Sequence, residues 1–413
     1  MKKVALCIPT YNRAEEIRTV LEKELDFLHR HAVDVHIFDS SETETTKRVV
    51  TGYGHYENLY YHAVDSSIRS NEKVFHIYRD YADQYEYVWV IHDHTIFTED
   101  ALCYILEQLD DRIGYYFLQF QSNSYEREDI TDRERLLYET AWLSGRYGTV
   151  ILKSEGFLRE TDWEYFSRKY LTDEMWNYAQ IGFCFERASQ IADFKARILR
   201  FPRDLFTDIS TDRKIGWYQD CVRVCLECWG EVISSLPDSY TNKQAVLQTQ
   251  DKWFISKYSL ITYKKNRVYN FGMYWRYRKW IKKIAPDESE NAFWISFLPV
   301  SASWRIYTRK LILEIRRNRS DGREICIYGA GRHATECLEY LECCGVDIDA
   351  FLVTKEEGNP DRIREYPVYQ ADGYVREHKV FAVIAIMSDK VDEIKTYLDS
   401  LEGNAPIRYM EFV

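Results

Sequence analysis

The sequence predicts an α/β protein: a mostly parallel sheet covered by helices on both faces, followed by a second, smaller α/β domain. Three observations lead there. Short apolar runs alternate with segments of helical spacing through the first hundred residues, the same strand–turn–helix pattern restarts near residue 323, and 413 residues exceed what one ordinary core encloses. With 46% apolar and 29% charged residues, the composition is that of a folded protein and not of a fibre or a disordered chain.

The elements follow in order. "KVALCIP" is a short apolar strand and "NRAEEIRTVLEKELDFLHRH" has helical spacing with its charges outward. "VDVHIFDSS" is a second strand, "ETETTKRVVTGYG" a second helix stopped by glycine, "NLYYHAV" a third strand, "SNEKVFHIYRDYADQY" a third helix and "YVWVIHD" a fourth strand. Beyond residue 115 the pattern is mixed: "GYYFLQFQS" and "SGRYGTVILKS" are strand candidates, and "DEMWNYAQIGFCFERASQI" predicts a helix. The expected domains are 1–260, a basic aromatic helical linker over 261–322, and 323–413.

In an open α/β sheet, ligands bind beyond the carboxyl ends of the strands. Three polar clusters fall at such ends: Thr10-Tyr11-Asn12-Arg13 after the first strand, Asp39-Ser40-Ser41 after the second and His92-Asp93-His94 after the fourth. A nucleotide diphosphate needs a flat contact for its base, a carboxylate for a uracil-like N–H, and a cation for the pyrophosphate as it leaves. Tyr11, Asp39 and Asp93 meet these needs in turn.

On the segments "CIPTYNRAEEIRTVL", "VHIFDSSETETT" and "EYVWVIHDHTIF" the chain resembles the nucleotide-sugar glycosyltransferases of A-type fold, inverting family 2. The resemblance is clear over about the first 110 residues. It implies a Rossmann-like mixed sheet, nucleoside contacts from Thr10, Tyr11 and Arg13, and a base contact from Asp39. It also implies a divalent cation, manganese or magnesium, on Asp93, and the histidines beside it favour manganese. Lys73 either adds charge toward the phosphates or lies on a solvated helix face. Where relatives carry two or three acidic residues, this chain has His92-Asp93-His94-Thr95, so one carboxylate remains. Two readings stay open: His94 replaces the missing ligand, imidazole suiting manganese or zinc better than magnesium, or His92 or His94 meets the phosphate as a cation with no metal. An inverting transfer also needs a general base. Asp173 is the expectation, with Glu174 and Asp162 beside it, although a helix start would explain Asp173 and Glu174 equally well.

Residues 263–286, "YKKNRVYNFGMYWRYRKWIKKIAP", hold eight Lys or Arg and no acid in a chain of net charge −11. Phe271, Tyr274, Trp275, Tyr277, Trp280, Ile281 and Ile284 recur at helical spacing, an arrangement suited to an anionic membrane surface or to packing against another domain or a sister subunit in a homo-oligomer. The acidic total argues against nucleic acid as a partner. No apolar run reaches the length of a membrane span, and the expected location is the cytoplasm, or the inner face of the membrane if this helix touches lipid. Ten scattered Cys fit a reducing compartment, and Cys221, Cys225 and Cys228 share one helix face and predict core packing.

From 323, "ICIYGAGRHATECL" places Gly329, Gly331 and Ala334 at a strand-to-helix turn able to seat a pyrophosphate. The next strand ends in Val353-Thr354-Lys355, with no carboxylate for a ribose, which argues against NAD. This segment resembles the small Rossmann-like domains appended to bacterial polysaccharide-synthesis enzymes, and a scaffold or dimerising role is expected. The whole predicts a UDP-sugar transferase acting on a saccharide or lipid-linked acceptor in cell-surface polysaccharide synthesis. The alternatives are a silent nucleotide-binding protein and a nicotinamide-dependent oxidoreductase.

Overall fold

The computed structural model describes residues 3–122, 124–202, 206–209, 218–250, 252–355, 357–386 and 391–412. The first seven elements are the predicted ones: β1 (Val4–Thr10), α1 (Ala14–Arg30), β2 (Val33–Asp39), α2 (Thr45–Thr51), β3 (Leu59–Ala63), α3 (Ser70–Tyr81) and β4 (Tyr87–Val90). Their apolar residues face inward as the spacing requires. Leu6, Ile8, Ile17, Leu21, Leu25, Val35, Ile37 and Trp89 meet in one core between sheet and helices.

Then come β5 (Thr95–Phe97), α4 (Glu99–Gln108), β6 (Tyr115–Ser122), β7 (Glu126–Ile130), α5 (Arg133–Ser144), β8 (Val150–Lys153), α6 (Trp163–Tyr170), α7 (Ala179–Gln190), β9 (Ala196–Pro202) and β10 (Phe206–Asp208). Eight strands form a mixed sheet in the order β3-β2-β1-β4-β8-β6-β9-β7, with β8 antiparallel to both neighbours and β7 antiparallel to β9. Separately, β5 and β10 pair antiparallel. The strand order reverses between β1 and β4, so the switch point where such sheets open a crevice lies at their carboxyl ends. In register, Thr10 stands beside Asp39, and Cys7 beside Val90, which carries residues 92–94 to the same edge.

One expectation changes here, and one left open takes its packed alternative for most of its residues. The helix foreseen from Asp173 starts only at Ala179: Trp176–Tyr178 form one 3-10 turn, and Tyr178 at φ −122° breaks the continuity. The aromatic stripe of helix Phe271–Ile284 does not face outward. Tyr274, Tyr277, Trp280, Ile281 and Ile284 are buried, Tyr274 against Phe293 and Trp280 against Gly230, and only Phe271 and Trp275 of the stripe are exposed. Cys221, Cys225 and Cys228 are buried, as predicted.

The chain divides into two compact units, Met1–Asp251 with Tyr277–Pro286, and Lys252–Arg276 with Asp287–Val413. The residues of the expected 261–322 linker are thus shared between them. The second unit carries β11 (Glu324–Tyr328), β12 (Ala350–Val353), β13 (Arg362–Ile363), β14 (Tyr366–Gln370), β15 (Val380–Ile384) and β16 (Arg408–Glu411) in the order β13-β14-β12-β11-β15-β16, parallel except for β13. It is the smaller α/β domain that the sequence predicts. Gly329 follows β11 at φ +121°, and a side chain there would lie 2.9 Å from the Ala385 carbonyl, so this turn needs glycine.

Candidate active site

The hydroxyl of Thr10 donates to Asp93 Oδ2 at 2.8 Å, directly across the switch point. Asp93 Oδ1 lies 2.9 Å from His94 Nδ1, and Arg13 Nη1 lies 3.7 Å from that oxygen and 3.1 Å from the same imidazole nitrogen. Thr10, Arg13, Asp93 and His94 therefore form one group, although 83 residues separate the first and third. His94 Nδ1 is within hydrogen-bond distance of Asp93, and Arg13 adds positive charge beside the pair.

His92 is held differently. Its ring packs between His94 (4.8 Å) and Tyr147 (5.0 Å), and burial, with His94, Arg146 and Arg13 nearby, pushes its pKa down to about 3. Without a ligand these surroundings favour the neutral ring.

Asp39 is buried, and its carboxylate accepts from the Ser41 backbone (2.9 Å), the Ser41 hydroxyl (2.5 Å) and Tyr61 OH (2.9 Å). Tyr61 is a partner that the sequence reading missed. Next to Asp39, Ser40 donates from its backbone and hydroxyl to the Thr10 carbonyl and accepts from Lys73 Nζ. Lys73 is 8% exposed, so it does not lie on a solvated helix face. Burial lowers its pKa, and the Asp39 charge works in the opposite direction. Tyr11 is 51% exposed, in the turn after β1, where Asn12 takes φ +54° and its backbone N–H bonds Ser41 Oγ at 2.8 Å.

Asp173 stands outside this group. It sits in a turn, not at a helix start, so the capping explanation does not apply, and its exposed carboxylate pairs with Arg69 at 2.8 Å. Arg69 precedes α3 and lies over the Trp176 ring at 5.4 Å; with Glu72, Leu171, Asp173 and Trp176 it lines a small cavity of about 270 Å³. Asp162 is the cap of α6, accepting from Tyr165 N at 2.9 Å. The first turn of α3 thus holds both ends of the region, with Arg69 on Asp173 and Lys73 on Ser40.

Among the described residues no group of three or more His, Cys, Asp and Glu could enclose a metal ion. Asp93 and His94 offer one oxygen and one nitrogen donor. Each Asp93 oxygen carries one hydrogen bond and keeps a lone pair. One oxygen and one nitrogen donor could contribute to a divalent-ion site only if other groups completed it.

In the second unit, Thr354 closes β12 with its hydroxyl 2.5 Å from Tyr328 OH, at the place where a ribose-binding carboxylate would stand. His333 is packed edge-on to Tyr258 at 4.4 Å, and burial lowers its pKa to about 4.

No known family model matches the sequence, and no curated protein does. Solved structures similar to the chain include nucleotide-sugar glycosyltransferases. Residues 1–349 of S. aureus TarS, in complex with UDP-GlcNAc, are 12% identical with a TM-score of 0.44, over 73% of this chain and 91% of that one. The mannosyltransferase PcManGT from Pyrobaculum calidifontis, in complex with GDP-Man and Mn2+, is 15% identical with a TM-score of 0.35, over 70% and 86%. Glucosyl-3-phosphoglycerate synthase from Mycobacterium tuberculosis, with Mn2+, UDP and glucosyl-3-phosphoglycerate, is 12% identical with a TM-score of 0.39, over 58% and 82%.

Proposed function

We propose that this chain is a glycosyltransferase that moves a sugar from a UDP-sugar to a saccharide acceptor, lipid-linked or free, with inversion, in the assembly of a cell-surface polysaccharide. The observation that carries the reading is the hydrogen bond between Thr10 and Asp93 at the switch point, with Arg13 and His94 on the same carboxylate. Residues at two strand ends are joined there, and Ser40 at a third strand end bonds the Thr10 carbonyl, so a diphosphate would find charge and donors along one edge.

In this reading Tyr11 offers its exposed ring to the base, Asp39 the edge carboxylate held by Ser41 and Tyr61, and Arg13 and Lys73 positive charge toward the phosphates. Asp93 and His94 would hold a divalent ion, which would supply charge neutralisation for the leaving diphosphate. The acceptor is assigned to the Arg69–Asp173–Trp176 cavity, where the Trp176 ring gives a platform for a sugar and Asp173 takes the hydroxyl proton once it leaves Arg69.

A second reading, a nucleotide-binding protein without catalysis, is favoured by one feature: Arg13 already lies beside the single carboxylate. Hydrolysis of a panel of UDP-sugars, with thermal shift by UDP in the presence and absence of manganese, separates the two. The transferase hydrolyses at least one donor and its stabilisation by UDP rises with manganese, and Asp93→Ala removes both effects. The silent binder is stabilised by UDP equally with and without the metal.

A further inference from the structure

We infer that the second unit carries a docking surface for an anionic lipid bilayer, formed by the start of helix Phe271–Ile284 and the end of helix Ser289–Phe297. Four large aromatic side chains stand in solvent there: Phe271 is 45% exposed, Trp275 56%, Trp294 44% and Phe297 63%. They form one patch. Phe271 stacks with Trp275 at 6.4 Å and meets Phe297 and Phe293 at 6.3 Å, and Phe293 meets Trp294 at 5.1 Å. A soluble surface rarely gathers four such rings, and rings of this kind settle at the boundary between headgroups and acyl chains.

Charge identifies the occupant. Within the same unit Lys265, which ends the preceding helix, and Arg267, in the turn leading to Phe271, are exposed. No acid occurs from 263 to 286 although the chain carries a net charge of −11. The nearest carboxylates in sequence, Asp287, Glu288 and Glu290, precede or open helix Ser289–Phe297, whereas Trp294 and Phe297 close it. Basic residues beside exposed aromatics match anionic headgroups over a wettable hydrocarbon boundary. A two-fold contact with a second copy would instead set this basic face against itself. The surface differs from the stripe that the periodicity predicts, most of which is core.

The test is cosedimentation of the full chain with vesicles of phosphatidylcholine alone or mixed with phosphatidylglycerol, together with tryptophan quenching by lipids brominated on their acyl chains. Neither readout involves sugar transfer, so failure here and failure of the transferase reading are distinguishable. The expected result is binding to phosphatidylglycerol vesicles that weakens with salt and is accompanied by quenching. In Trp275→Ser/Phe297→Ser, whose replaced side chains are exposed, binding falls about tenfold or more while the thermal shift with UDP is unchanged. Lys265→Glu/Arg267→Glu is expected to weaken binding without removing the aromatic anchor. No binding to anionic vesicles, equal binding by the aromatic variant, or a dimer of the parent protein that this variant converts to monomer in sedimentation velocity would overturn the proposal.

Discussion

Thr10 and Asp93 share a buried hydrogen bond of 2.8 Å, and that bond closes the switch point of the first sheet. Thr10→Val removes the donor and leaves a carboxylate oxygen short of a partner, which costs about 1–3 kcal/mol of stability. Thr10→Ser keeps the donor and is expected to restore most of it. Chemical denaturation of the three proteins at one pH checks this, and equal stabilities would show that the bond contributes nothing.

Asp93→Ala is expected to lower UDP-sugar hydrolysis by about a hundredfold or more, the scale on which removal of one charge-stabilising group acts. Lys73→Met tests the other side of the rim. Its Nζ is buried on Ser40, so replacing it with an uncharged chain of similar length should keep the fold and raise the Kd for UDP about tenfold, measured by calorimetry.

Glu24 gives a signed pH dependence. It is 1% exposed beneath β5, where Oε1 accepts from Phe97 N and Oε2 has no partner, and burial raises its pKa from 4.5 to about 8. The folded chain therefore keeps a proton that the unfolded chain releases, so stability falls as pH rises from about 4.5 through about 8. By pH 7 the cost is about 3 kcal/mol. Glu24→Gln keeps an acceptor for Phe97 and should flatten this limb of the stability curve. An unchanged slope in urea titrations between pH 5 and pH 8 would refute it.

His36 acts in the opposite direction. It lies 2.8 Å from Tyr85 OH through Nε2, and Tyr85 in turn donates to Asp34; burial, then His62 and Lys3, lower its pKa from 6.5 to about 3. Unfolding lets it take up a proton, so stability is lost as pH falls from about 6.5 toward 3. His36→Gln is expected to reduce that acid slope by as much as about 1.4 kcal/mol per pH unit.

Gly230 faces the Trp280 ring so closely that an added Cβ would lie 2.2 Å from it. Both residues are buried in the first unit, and Gly230→Ala should cost about 1–3 kcal/mol through forced repacking, read as a lowered Tm.

The first four strands and three helices were legible because each writes a single period, and the register then placed Thr10, Asp39 and Asp93 on one edge. What stayed hidden depended on distant chain. Tyr61 reaches Asp39 because β3 pairs with β2 with Tyr61 beside Ile37, a register no local pattern states. Lys73 reads equally as a solvated helix charge or a phosphate contact, and only the packing of α3 shows that it is buried on Ser40. Asp173 resembles a helix cap in sequence, whereas its neighbours form a turn fastened to Arg69. The buried side of helix Phe271–Ile284 was recognised as a stripe with its medium left open, because spacing alone does not say whether protein or lipid covers it.

The pairing of β5 with β10 has a consequence for how the protein matures. The segment just after His94 is clamped by a strand that begins only at Phe206, and Ile209 N bonds the His94 carbonyl. During translation the early strands can dock while this latch is still unmade, so a nascent chain stopped short of β10 would own every rim residue and still lack the brace behind His94.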